Sequence, residues 1–363
     1  MKVLNAVSGG DSYAKLCVDM NIPHLLTTFA APKALPSIHD YLEEKDKRMD
    51  MVLLDSGAFS VWTKGLKVDV NKYIDYCLRL KCPRIDWICP IVLDVIPGSP
   101  NTTQITAEMV TETAKEGWKN YMLMLESGLT PMPVFHQGEA FEWLDMMVES
   151  TDFIGIGGIA MTLSQQRLLW LDTVFNYIEK HGYGKNTKFH GLGVASLTLM
   201  KSYPWWSCDS AAAVIVAGKT CEVIIPVLKD DGTFDFTHRM LLDCGDSKRR
   251  GDKKRVYAKV EEPGGRDGFF DRGVDLTIAP DSHKDSLSTD TRGVIDCYLQ
   301  YVSKKYGTKF TFEDLAKGDS RTALNIIFFR EFEHQWEYDP AARSVQLAST
   351  QGFFDGVEVK CED

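Results

Sequence analysis

The chain has 363 residues, 44% hydrophobic and 25% charged, enough for one barrel of about 250 residues plus an appendage. No apolar run approaches the roughly 18 residues a membrane span requires, and the opening MKVLNAVSGGDSYAKL does not read as a signal peptide, so a cytoplasmic protein with no membrane partner is expected. A net charge of −10 argues against a generally basic polyanion binder, and nine dispersed cysteines with no C-x-x-C pair argue against both a disulfide framework and a clustered zinc site.

In chain order, the first expected strand is 3–7. It runs into Val7-Ser8-Gly9-Gly10-Asp11-Ser12, which is similar to the S-G-G-x-D-S phosphate loop of ATP pyrophosphatases but one residue short, and reads as a glycine-rich loop. Strands follow at 24–29, 51–54 and 88–93, a long helix at 105–125, a strand at 132–135, and a helix at 140–150 with Phe141, Leu144 and Val148 on one face. Strand 153–156 precedes Thr162-Leu163-Ser164-Gln165, a capping-box spacing. The helix after it has Leu168, Leu171, Phe175 and Ile178 on one face and Gly182 as a stop. Strands at 188–192 and 205–208 complete eight. Several are nearly continuous apolar runs, as in parallel sheets buried on both faces. This alternation predicts an α/β fold, a (β/α)8 TIM-type barrel over residues 1–225. Beyond it, Asp230-Asp231-Gly232-Thr233 predicts a hairpin turn, and 291–306 and 312–336 read as helices. Residues 226–363 are expected to form an α+β appendage packed on the barrel.

The chemistry gathers after the strands. Leu54 is followed by Asp55-Ser56-Gly57, Leu93 by Asp94, Phe135 by His136-Gln137-Gly138-Glu139, Ile156 by Gly157-Gly158, Leu192 by Gly193, and Cys208 by Asp209. In a parallel barrel these ends converge on one mouth, where active sites form. An Asp at such a junction can also cap a helix or make a turn. Three of them at three strand ends favour paired-carboxylate chemistry at a sugar anomeric carbon, one acid attacking and another moving a proton. Gln137 suits the edge of a heterocycle, and Gly157-Gly158 either a planar ligand or a tight turn. His136 and His190 read as satisfied core polar groups in preference to metal ligands, and Trp205-Trp206 as packing. The run Lys248-Arg249-Arg250-Gly251-Asp252-Lys253-Lys254-Arg255 holds six cations in eight residues, either a phosphate-contacting segment or a solvated loop.

These residues resemble a known family. Asp55-Ser56-Gly57-Ala58-Phe59 is similar to the D-S-G-G-F motif of the queuine/guanine tRNA-transglycosylases, Leu93-Asp94 with Pro97 to its F-D-E-C-x-P segment, and His136-Gln137-Gly138 to V-Q-G-G. Gly155-Ile156-Gly157-Gly158 resembles G-L-A-V-G, Gly191-Leu192-Gly193-Val194 resembles M-G-V-G, and Cys208-Asp209-Ser210 resembles F-D-C. The spellings look like the deazapurine DNA-modification branch of phages and bacteria. The resemblance implies a DNA-guanine transglycosylase that exchanges guanine for a 7-deazaguanine base, with DNA and the free base as partners. It implies Asp209 as nucleophile, Asp55 as acid/base, and Asp94, Ser56, Gln137, Gly157, Gly158 and Gly193 around the base. Lys248, Arg249, Arg250, Lys253, Lys254 and Arg255 are the expected DNA contacts. The family's zinc cluster is missing, so no metal and no cofactor are expected. A tRNA-guanine transglycosylase, or a phage transferase hypermodifying another base, are the alternatives.

Overall fold

The structure, a computed structural model, describes residues 1–7, 11–64, 67–98, 105–158, 164–244 and 289–340. Eight strands form one parallel sheet: β1 (Lys2–Ala6), β2 (His24–Thr28), β3 (Met49–Asp55), β4 (Ile85–Pro90), β5 (Val134–Phe135), β6 (Phe153–Ile156), β7 (Lys188–Gly191) and β8 (Ser207–Ser210). Their spatial order is β4-β3-β2-β1-β8-β7-β6-β5. The sheet curls until its edges meet. Just past β4, Ile91 bridges Met132, Met132 N–H donates to the Pro90 carbonyl at 2.8 Å, and Val92 N–H donates to the Met132 carbonyl at 2.9 Å. The α/β barrel expected from the alternation is thus the fold found.

Helices α1 (Asp11–Asp19), α2 (Ala34–Glu44), α3 (Ala58–Trp62), α4 (Val70–Arg79), α5 (Ala107–Glu126), α6 (Phe141–Ser150), α7 (Ser164–His181), α8 (Leu197–Ser202) and α9 (Ala212–Ile215) connect the strands. Side chains place their starts: Asp69 accepts from the Asn71 N–H at 3.0 Å before α4, and Thr106 accepts from the Met109 N–H at 3.3 Å before α5. On α7, Leu171, Phe175 and Ile178 are buried as their spacing predicts, and Gly182, at φ +71°, ends the run. The residues Thr162 and Leu163 of the expected capping box lie outside the described residues, as do Ser8, Gly9 and Gly10 of the glycine-rich loop.

Strand ends differ from expectation at several places: β3 starts earlier, at Met49, β5 later, at Val134, and two further differences bear on the site. The run 88–93 is half strand: β4 begins at Ile85, paired with Met49, and past Pro90 only the Ile91 bridge continues. Leu93 instead gives its carbonyl to the Asn120 side-chain amide at 2.8 Å. The last strand starts at Ser207, not Trp205, because Trp205 N–H turns back to the Tyr203 carbonyl and its indole donates to the Leu199 carbonyl at 3.0 Å. Asp209 therefore lies within β8, paired with Leu4.

Strand periodicity sorts the interior. Leu4, Met51, Leu53, Cys89, Ile91, Met132, Val134 and Phe153 are buried in one cluster. Strand-facing partners such as Val3, Leu25, Val52, Ile154, Phe189 and Cys208 pack with the helices in another. The barrel floor is aromatic: Phe153 lies 5.4 Å from Trp87 and 5.1 Å from Trp206, and Lys2 and Lys188 stand over the Trp206 ring. Trp205 and Trp206 are packing residues, as expected.

Strands β9 (Glu222–Leu228) and β10 (Phe234–Asp243) make the expected hairpin, turning at Gly232 (φ +81°) with Asp231 accepting from Thr233. Helix α10 (Thr289–Tyr306) matches its prediction, while α11 runs Gly318–Gln335, later than expected because Glu313–Ala316 form a separate 3-10 turn. Buried Asn325 of α11 clasps the hairpin edge: its amide accepts from Ile224 N–H at 2.7 Å and donates to the Ala213 and Glu222 carbonyls. Glu333 accepts from Val3 N–H at 3.4 Å and faces His24 at the start of β2. This region accordingly packs along the outside of the barrel, from the segment after β8 to the amino-terminal ends of β1 and β2.

Candidate active site

Period-two alternation carries two inward rows past their apolar members into polar ones, Met51-Leu53-Asp55 on β3 and Met132-Val134-His136 through β5, while the row Ser207-Asp209 on β8 is polar throughout. The apolar members fill the interior, and the polar ones arrive together at the carboxyl ends.

Asp55 accepts from Gly57 N–H at 3.0 Å. Gly57 has φ +77°, and a Cβ there would stand 3.0 Å from Ala30, so the turn that aims this N–H demands glycine. Burial raises the Asp55 carboxyl, the negative charges of Asp94 and Asp209 add to it, and Thr28 and Gly57 oppose it; the result is about 6. Both other acids thus act on Asp55 electrostatically, which puts the three in one site. Ser56 is fully buried, its hydroxyl turned to the Ala58 N–H at 3.4 Å. On α3, half-exposed Phe59 stacks with Trp62.

Asp94 sits four residues beyond β4 on a loop. It is paired with His136, whose Nε2 lies 3.0 Å from Asp94 Oδ2 and whose Nδ1 lies 3.2 Å from Glu139 Oε1. Glu139 also accepts from His136 N–H at 3.1 Å, a return made by Gly138 at φ +89°. A carboxylate can only accept, so both ring nitrogens carry protons. Burial opposes this cation, but the hydrogen bonds and charges of Asp94 and Glu139 outweigh it and raise His136 to about 10.

Gly157 and Gly158 make room for this group. A Cβ at Gly157 would fall 2.8 Å from His136 Cδ2 and 2.8 Å from Val134 Cγ1, and one at Gly158 (φ +77°) 3.0 Å from Gln137 N. The Gly157 N–H is spent in the sheet, donating to the Phe135 carbonyl at 2.8 Å. Gly157 therefore serves His136 directly. Gln137 follows His136 at the same strand end, half-buried.

Asp209 is 7% exposed; its Oδ1 accepts from Gly193 N–H at 2.8 Å and lies 3.2 Å from His190 Nε2. His190 Nδ1 lies 2.7 Å from Ser207 Oγ. Gly193, at φ +69°, is oriented toward the carboxylate by its turn. Ser207, His190 and Asp209 form a hydroxyl–imidazole–carboxylate chain, an arrangement that serves serine nucleophiles elsewhere. Burial distinguishes the two ends. Ser207 and His190 have no exposed surface, so the end that meets solvent is the carboxylate.

The structure brings Asp55, Asp94, Asp209 and Gly193 together with His136, Glu139, His190 and Thr28. In sequence both histidines look like polar core, and no motif sets Glu139 or Thr28 apart. The legible signals were the i, i+3 spacing of His136 and Glu139 around a glycine, and the inward parity of His190 with Lys188. Lys248, Arg249, Arg250, Lys253, Lys254 and Arg255 lie outside the described residues. Among the described residues, His39, Asp40 and Glu43 on α2 are the one acid–histidine group close enough to hold a metal ion. Its two acids face different nitrogens of the ring, each at 3.7 Å, as in ion pairing. No described helix is long and apolar enough to cross a membrane.

No protein-family model matches the chain, and no curated protein matches it. Among solved structures, the 4-hydroxy-2-oxoglutarate aldolase from TTHB1 is similar with a TM-score of 0.34 and 12% identity, over 58% of this chain and 84% of that one. The CdNal of Clostridium difficile, solved in complex with mannosamine, is similar with a TM-score of 0.37 and 9% identity, over 58% of this chain and 71% of that one. Both similarities are distant and carry no argument about chemistry.

Proposed function

We propose that the chain is a pentosyltransferase that exchanges guanine in DNA for a free 7-deazaguanine base through a covalent deoxyribosyl ester on Asp209. The observation that carries this reading is the division of labour among three acids at one mouth. Asp209 has two donors aimed at one oxygen, while Asp55 is pushed up to about 6, where it can hold and release a proton near neutral pH.

In the proposed cycle, Asp209 attacks C1′ as the C1′–N9 bond breaks, and the electron pair leaves with guanine. Asp55 gives the departing purine a proton. The incoming base then loses its N9 proton to Asp55, N9 attacks C1′, and Asp209 leaves as carboxylate. No cofactor is consumed. Asp94, held by His136, supplies an acceptor for the N–H groups of a guanine-like edge, and Phe59 offers an aromatic face for a planar base. The target C1′ of a duplex is reached by flipping the nucleotide out, at a cost of a few kcal/mol.

Mass spectrometry of nucleosides from DNA incubated with the protein and a labelled 7-deazaguanine base tests the reading, with tRNA as the parallel substrate. Label in DNA, and a protein–DNA adduct absent from Asp209→Asn, are expected. Label in tRNA alone would replace DNA by tRNA with the chemistry unchanged. An adduct that persists in Asp209→Asn would refute the nucleophile.

A further inference from the structure

We infer that His190 is a positioning residue that pins Oδ1 of Asp209 and thereby selects Oδ2 as the attacking atom. The inference rests on the transfer reading above. Oδ1 can only accept, so Gly193 N–H and His190 Nε2–H both donate to it, at 2.8 and 3.2 Å. The His190 ring has no exposed surface, packs T-shaped with Phe153, and its Nδ1 lies 2.7 Å from the hydroxyl of equally buried Ser207. One proton per contact satisfies the whole chain: Ser207 O–H donates to Nδ1, and Nε2–H donates to Asp209. The ring is then neutral, and no second charge has to be carried in a fully buried position.

Among the described residues no donor engages Oδ2, so that oxygen keeps its lone pairs for C1′. When the C1′–Oδ2 bond forms, Oδ1 becomes the ester carbonyl and still accepts from the same two groups. When the bond breaks, charge returns to the carboxylate against donors already in place. His190 therefore orients the carboxylate through both steps and neither gains nor loses a proton. It does not touch the base.

Three variants and one spectrum test this. His190→Gln keeps an N–H donor near the Nε2 position, whereas His190→Phe fills the space without one. Loss of a hydrogen bond to a charged group corresponds to about 10- to 100-fold in rate. The Phe variant should lose that much kcat with KM for the free base unchanged, and the Gln variant should recover most of it. Equal losses in two folded variants, or a loss seen only in KM, would overturn the positioning role. In 15N-histidine spectra of the full chain at pH 7, His190 should carry its proton on Nε2, and Ser207→Ala should shift Nδ1. A proton on Nδ1 would overturn the assignment whatever the activity. Wild-type protein that forms no adduct with either DNA or tRNA would overturn the transfer reading and the choice of Oδ2 with it, and the spectrum would still decide the hydrogen bond.

Discussion

Asp55→Asn should stabilise the fold while stopping the reaction. The folded-state carboxyl titrates at about 6, against an ordinary 3.8. Between these values the native state keeps the proton that the unfolded chain has released. The native state binds more protons, so stability falls as pH rises through this window, and the full cost is present from about pH 7 upward. At about 1.4 kcal/mol per pH unit the cost is at most ~3 kcal/mol. Asparagine removes the charge, keeps the shape, and still offers an oxygen to the Gly57 N–H. Urea unfolding of both proteins should give similar midpoints near pH 4 and a gap that opens toward pH 7.5, where the variant leads. A gain of ~3 kcal/mol raises the midpoint by roughly 1 M at an m-value of about 3 kcal/mol/M. Exchange should fall by about 10²- to 10⁴-fold, the usual loss for a positioned proton carrier. A gap independent of pH, or an asparagine variant weaker at pH 7.5, would refute the claim that burial and the neighbouring acids raise Asp55.

Gly157→Ala should cost about 1–3 kcal/mol, because its Cβ would meet His136 and Val134 at 2.8 Å; an unchanged urea midpoint would contradict the close packing. His136, raised from 6.5 to about 10, contributes stability that is fully present below pH 6.5 and lost as pH rises through 10. Its 15N signals should therefore report both nitrogens protonated at pH 8, and a neutral ring there would remove the Asp94–His136–Glu139 clamp. Neutralising Lys248, Arg249, Arg250, Lys253, Lys254 and Arg255 should weaken DNA binding and flatten its salt dependence without changing affinity for the free base. An unaltered salt slope would make that run a solvated segment.

The pattern of apolar runs and turns was enough to specify eight strands, three of the helices between them and the hairpin after them, because hydrophobic periodicity and glycine stops act locally. It also brought Asp55, Asp94 and Asp209 to strand ends, and so to one mouth. Strand limits near Pro90 and Trp205 were not legible, since they depend on which neighbour takes each N–H. Nor did local pattern show what holds each acid. Asp94 meets His136 across 42 residues, and Asp209 meets His190 across 19, contacts that exist only once the sheet has curled. The same closure places a demand on Gly157 that spacing did not show, room for His136. It also decides, by burying Ser207 and His190 completely, that the carboxylate is the end of the chain that faces the mouth. Sequence spacing records which side chains are available; burial and the partner across the barrel determine which of them can act.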